Sequence, residues 1–128
     1  MTDQKKILLV EDEGGLRELY EEKLTQDGYL VFAVGNGEEA IELSKKNDFT
    51  IIVLDIMLPG MSGLDVLARL RADKRFATTP VLILSALEAV EDRARGLALG
   101  ASAYCSKNEL SPEQLAAKVG ELATESGK

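Results

Sequence analysis

Apolar positions gather into five short runs along the chain, at residues 7–10, 30–34, 50–54, 80–84 and 102–106. The first four are rich in valine, isoleucine and leucine and lack polar alternation, the pattern of parallel strands covered on both faces. The fifth is smaller and more polar and predicts a strand at a sheet edge. Pro80 opens the fourth run, a position where a strand tolerates proline.

Helical spacing fills the intervals. Leu16, Leu19, Tyr20 and Leu24 form one apolar stripe, closed by Gly28 as a C-cap. Asn36 with Glu39 reads as the N-cap and partner of a helix running through about Lys46. Ser62 precedes a third stripe of Leu64, Leu67 and Leu70. Leu87, Val90, Ala94, Leu97 and Ala98 make the fourth, ended by Gly100. Ser111-Pro112-Glu113-Gln114 combines an N-cap, a first-turn proline and a capping box, and Leu115, Val119 and Leu122 follow at helical spacing. Five strand–helix units in succession predict an α/β protein with a five-stranded parallel sheet, right-handed crossovers and five helices on its two faces. The leading doubly wound choice for five strands is flavodoxin-like, in the order 2-1-3-4-5, with ligands beyond the carboxyl ends of the strands.

The 128 residues leave room for one domain. It is expected over residues 1–124, with a frayed tail at 125–128. A content of 45% hydrophobic and 29% charged residues fits neither a disordered nor a membrane protein. The apolar runs are too short to span a bilayer and the first residues do not read as a secretory signal, so a cytoplasmic location is the default. Fifteen basic against 22 acidic residues give a net charge of −7. Such a surface repels nucleic acid and anionic lipid, and neither is expected as a direct partner. Cys105, the single cysteine, cannot form an internal disulfide and reads as a small, partly buried residue. The absence of histidine removes Ser-His-Asp triads and Cys-His pairs, and the chain cannot carry phosphate on an imidazole of its own.

Residues just past each apolar run should converge on one crevice. The first run ends in Glu11-Asp12-Glu13, the third in Asp55, the fourth in Ser85 and the fifth in Ser106-Lys107. Carboxylates brought together from two strands repel one another by about 1–4 kcal/mol per pair at 4 Å, between water-like and surface dielectrics. Oxygen donors of this kind suit Mg²⁺. Glu13 is better explained as a helix-terminal acid, where negative charge is favoured. Asp55 leaves the most apolar strand and enters a loop bent by Pro59, Gly60 and Gly63. Beside a metal and opposite an ammonium, it is set up as a nucleophile toward phosphorus. Lys107 would neutralise the transferred oxygens and Ser85 would donate a hydrogen bond to them.

Four segments, Ile7-Leu8-Leu9-Val10-Glu11-Asp12-Glu13, Leu54-Asp55-Ile56-Met57-Leu58-Pro59-Gly60-Met61-Ser62-Gly63, Leu84-Ser85-Ala86 and Gly100-Ala101-Ser102-Ala103-Tyr104-Cys105-Ser106-Lys107, resemble the response-regulator receiver domains of two-component systems. The likeness covers nearly the whole chain, with every motif in order. It implies a signalling switch rather than an enzyme, with Asp55 as phosphoacceptor. It further implies that Glu11 and Asp12 hold Mg²⁺, with Asp55 and the Met57 backbone carbonyl completing the protein ligands. Ser85 is then the hydroxyl that moves toward the phosphoryl group, Lys107 the ion-pair partner and Tyr104 the aromatic that turns inward on activation. The implied donor is a histidine kinase or phosphotransfer protein. The implied output surface is built from the fourth helix, fifth strand and fifth helix, facing a protein partner or effector domain. A monomer or a weak phosphorylation-dependent dimer is expected.

Two departures stand out. Many receivers carry proline after the lysine, often through a cis bond, where this chain has Asn108. A non-proline cis bond costs about 3 kcal/mol, so the loop is either trans or strained. Gly14-Gly15 weakens the first turn of the first helix, with no functional account. Met57 and Leu87, two residues past Asp55 and Ser85, are apolar and unable to orient an attacking water, which predicts slow self-dephosphorylation.

Rival folds of the same outline fit less well. A haloacid-dehalogenase-type phosphohydrolase needs an acid where Met57 stands. A flavin binder needs a hydroxyl- and glycine-rich loop where three acids stand. A receiver-like module that signals without phosphate shares all the motifs and is separated only by phosphorylation itself.

Overall fold

The computed structural model describes residues 4–86 and 90–126. Strand β1 (Lys6–Val10), helix α1 (Gly14–Gln26), β2 (Leu30–Val34), α2 (Gly37–Lys46), β3 (Ile51–Leu54), α3 (Gly63–Ala72), β4 (Val81–Ser85), α4 (Val90–Ala98), β5 (Ala103–Ser106) and α5 (Pro112–Ser126) alternate along the chain. Short 3₁₀ turns at Lys74–Phe76 and Lys107–Glu109 were not foreseen. The strands are all parallel, in the order β2-β1-β3-β4-β5, as expected.

Buried strands alternate their side chains between two helical layers. Leu8, Val10, Ile52, Leu54 and Ile83 pack against Ala40 of α2 and Leu64, Val66, Leu67 and Leu70 of α3. Ile7, Leu9, Ile51, Val53, Leu82 and Leu84 pack against Tyr20 and Leu24 of α1 and Leu115, Val119 and Leu122 of α5. Each aliphatic side chain fully buried in this way contributes about 1.5–3 kcal/mol of transfer free energy. β2 is only half-buried, because it is an edge strand as well as a covered one.

The helix starts follow local chemistry. Asn36 Oδ1 accepts from the Glu39 N–H at 2.9 Å, and Ser62 Oγ accepts from the Asp65 N–H at 3.3 Å. The capping box before α5 closes in both directions, Gln114 N–H to Ser111 Oγ at 3.1 Å and Ser111 N–H to Gln114 Oε1 at 2.9 Å. α5 continues to Ser126, two residues past the expected boundary.

Two apolar stripes depart from expectation. Leu19 is 54% exposed, since it lies at the flank of α1 and only Tyr20 and Leu24 are fully buried. Ala94, Leu97 and Ala98 of α4 face outward, while Gly96 is buried. A Cβ at Gly96 would lie 2.7 Å from Ile83 Cδ1 and 3.4 Å from Tyr104 Cδ2, so α4 rests on the sheet through that glycine and turns its apolar row to the surface. Leu87 lies outside the described residues, as does the side chain of Val90.

Gly63 fixes the loop after β3. A Cβ there would collide with the Asp55 carbonyl oxygen and lie 2.7 Å from Ile56 Cα, both backbone atoms that cannot swing aside. Gly63→Ala is therefore expected to cost about 3 kcal/mol, the upper end for overpacking. Chemical denaturation would show this as a lowered midpoint, and an unchanged midpoint would contradict the close approach.

Candidate functional site

Register brings the chemistry together. Val10 pairs with Leu54, so Glu11 and Asp55 leave the sheet side by side. Ser85 pairs with Ser106, so Lys107 emerges from the neighbouring strand end. Asp55 is 2% exposed and Glu11 1%. The Asp55 N–H is held by the Val10 carbonyl at 3.0 Å, and Asp55 Oδ1 accepts from the Met57 N–H at 3.0 Å. Lys107 Nζ donates to Asp55 Oδ2 at 2.8 Å and to Glu11 Oε2 at 3.0 Å, and it lies 2.8 Å from Glu11 Oε1. It does so with no cis peptide bond among the described residues, the chain turning into the 3₁₀ segment directly after β5.

Electrostatics follow from burial. Burial pushes the Glu11 carboxyl above its ordinary range, only partly opposed by Lys107 and the Glu13 N–H. For Lys107, burial favours the neutral amine, but hydrogen bonds and charge from Asp55 and Glu11 outweigh it and hold the ammonium above its usual range. The lysine is thus a permanent cation between two buried acids.

Glu11, Asp12 and Asp55 each offer a carboxylate oxygen, and these oxygens all lie within 4.8 Å of one another. Three hard oxygen donors at one mouth, one of them on an exposed residue, fit Mg²⁺, which keeps several waters and takes few carboxylates. In the metal-free protein, a Glu11 carboxyl raised above its unfolded value makes its ionised form a cost to folding. That cost is absent below the ordinary glutamate pKa and fully present above the folded one, so it grows as pH rises. Glu11→Gln should accordingly raise the neutral-pH melting temperature without metal by a few degrees, the size of a change of about 1 kcal/mol. Mg²⁺ should then stabilise wild type more than the variant; a variant less stable than wild type in chelator would contradict this.

Ser85, the last residue of β4, is fully buried, and its side chain is hydrogen-bonded to that of Tyr104. Tyr104 lies inward at 7% exposure, with the Arg93 guanidinium 5.8 Å from its ring centre. Met57 is exposed beside Asp55. Glu13 stands at the N-cap of α1, yet its side chain caps nothing. Its N–H instead donates to Glu11 Oε2 at 3.0 Å.

Two neighbours escaped sequence reasoning. The Arg17 guanidinium donates to the Glu11 carbonyl at 2.9 Å and so anchors the loop behind the acid pair. Nothing in its spacing signals this, since an arginine on α1 reads as a surface residue. Tyr20 was read as core, and it is 1% exposed, but its hydroxyl has no hydrogen-bond partner among the described residues. An orphaned buried hydroxyl costs about 1–3 kcal/mol.

A lysine thus clamps a strand-end aspartate against an acidic cluster at the carboxyl edge of a doubly wound sheet. Residues 7–120 match the response regulator receiver domain, and the chain belongs to that family. It is 44% identical over 102 residues to the transcriptional regulatory protein HprR of Escherichia coli, covering 80% of this chain and 44% of that protein. It is 42% identical over 102 residues to the cell cycle response regulator CtrA of Brucella ovis, covering 80% of this chain and 43% of that protein. The chain thus spans less than half the length of these curated relatives. Among solved structures it resembles the chemotaxis response regulator CheY4 of Vibrio cholerae, with a TM-score of 0.87 and 28% identity over 94% of this chain and 99% of that one. The receiver domain of Francisella response regulator 1452 gives a TM-score of 0.85 and 31% identity over 95% of this chain and 98% of that one.

Proposed function

We propose that the chain is a Mg²⁺-dependent phosphorylation switch in which Asp55 accepts a phosphoryl group from a histidine kinase or phosphotransfer protein. The observation that carries this reading is Lys107, whose ammonium lies 2.8 Å from both Asp55 and Glu11 at the mouth of the central strand. An ammonium already held against Asp55 is placed to meet new negative charge that arises there.

In the transfer, an Asp55 oxygen forms the new bond to phosphorus while the donor's P–N bond breaks. The departing imidazole keeps the bonding electrons and takes up a proton. Lys107 offsets charge on the transferred oxygens, and Ser85 donates a hydrogen bond to them. Glu11, Asp12 and Asp55, with the Met57 backbone carbonyl, would hold the Mg²⁺. When bound, it supplies further positive charge against the phosphoryl oxygens.

Because Ser85 is already tied to Tyr104, a shift of Ser85 toward phosphate pulls on β5 and the α4 helix beside it. The outward apolar row of Ala94, Leu97 and Ala98 supports α4, β5 and α5 as the output surface, facing a protein partner or effector domain. The net charge of −7 speaks against direct nucleic-acid binding by this chain. Among the described residues no helix is long and apolar enough to cross a membrane. The proposed setting is the cytoplasm, with the chain monomeric or weakly dimeric on phosphorylation.

Incubation with acetyl phosphate tests the reading by intact mass. One phosphoryl group is expected with Mg²⁺ and none in chelator; no uptake in either would favour a module that signals without phosphate. The exposed Met57 side chain also sets an expectation for lifetime. Met57→Asn, which can orient water, should shorten the phosphoryl half-life several-fold, measured as mass loss after donor removal.

A further inference from the structure

We propose that the Tyr20 hydroxyl is a positioning group for the acidic site, a donor held beneath Glu11 until phosphorylation draws Lys107 away. The proposal rests on Asp55 being the phosphoacceptor.

Packing does not explain the hydroxyl. Tyr20 belongs to the buried apolar cluster that also holds Leu9, Leu24, Leu115 and Val119, where phenylalanine would serve without an orphaned polar atom. Buried hydroxyls are nearly always paired, and an exception calls for a reason. Geometry supplies one. Tyr20 lies six residues into α1, about 9 Å along its axis from Gly14, and helical side chains lean back toward the N-terminus. That lean is toward the end of α1 that follows Glu11, and Ile7 and Leu9 share Tyr20's cluster, so strand alternation puts Glu11 on the same face of the sheet. Burial disfavours the phenolate, the charge of Glu11 disfavours it further, and Lys107 opposes this in part, so the hydroxyl stays a donor.

Glu11 has no need of this donor as the structure stands. Lys107 lies against both its oxygens and the Glu13 N–H binds Oε2. A phosphoryl group on Asp55 adds anionic oxygens that compete for the same ammonium. As Lys107 turns to them, Glu11 loses the ammonium; a carboxylate has about four acceptor sites, so Mg²⁺ on one still leaves room for a donor, and the Tyr20 hydroxyl is an unpartnered donor among the described residues. Pairing the two removes an unsatisfied group from each, so the phosphorylated arrangement gains what the unphosphorylated one lacks.

Tyr20→Phe separates this role from packing, with beryllium fluoride plus Mg²⁺ as a stable phosphoryl mimic. The variant should melt at or above wild type without the mimic, yet bind it at least threefold more weakly. In a Glu11→Gln background, the same tyrosine change should alter affinity by less than threefold. A weakening of less than threefold in the otherwise native protein would overturn the proposal, as would equal weakening in both backgrounds. A wild type that binds no mimic at all would overturn the phosphoacceptor reading itself, and this proposal with it.

Discussion

Asp55→Asn is expected to abolish all measurable phosphoryl uptake while leaving the fold intact. Asparagine has nearly the same shape, and its amide oxygen can still accept the Met57 N–H that Asp55 Oδ1 holds at 3.0 Å. The backbone bond to Val10 is unaffected, and Lys107 keeps Glu11 as a partner. What disappears is the nucleophile, since an amide cannot attack phosphorus as a carboxylate does. The metal-free variant should also melt no lower than wild type, because one of three crowded acids has become neutral. Residual uptake of more than a trace would mean another residue accepts the phosphate, and a collapsed melting temperature would mean Asp55 is chiefly structural.

Lys107→Ala is expected to be among the most destabilising single changes in the protein. Its ammonium separates two carboxyls that are almost wholly inaccessible, and removing it leaves both buried without their cation. Breaking a buried ion pair by deleting one partner costs about 3–5 kcal/mol. Lys107 retains some exposure and the acids can bind a proton, so about 3 kcal/mol is the expected loss in chelator. Millimolar Mg²⁺ should restore part of it by mass action, since the freed acids still offer oxygen donors. Denaturant midpoints with and without metal measure both effects. A variant as stable as wild type in chelator would contradict the buried clamp.

Much of this was legible before the structure. The strand order followed from five apolar runs and the rule for doubly wound sheets, and the capping box at Ser111 formed as its residues foretold. Glu11, Asp12, Asp55 and Lys107 converge because each stands at a strand end, where a one-dimensional pattern suffices to locate a residue. The failures share a physical cause. Whether Leu19 or Leu97 faces the core depends on a helix's rotation against the sheet, which in α4 is set by the approach of Gly96 to Ile83. Glu13 does stand at the N-terminus of α1 as a helix-terminal acid, but its side chain makes no capping hydrogen bond. The Tyr20 hydroxyl was hidden for the opposite reason: its ring satisfies the apolar pattern and masks the polar atom at its tip.

Chemical location of the phosphoryl group tests the central claim most directly. Borohydride reduces an acyl phosphate to an alcohol, so the phosphorylated chain, reduced and digested, should yield homoserine in place of Asp55 in the peptide spanning the loop after β3. The unphosphorylated chain treated alike should retain aspartate there. Homoserine at Asp12 or another aspartate, hydroxynorvaline at a glutamate such as Glu11, or an acid-stable phosphate on Ser85, would contradict the account.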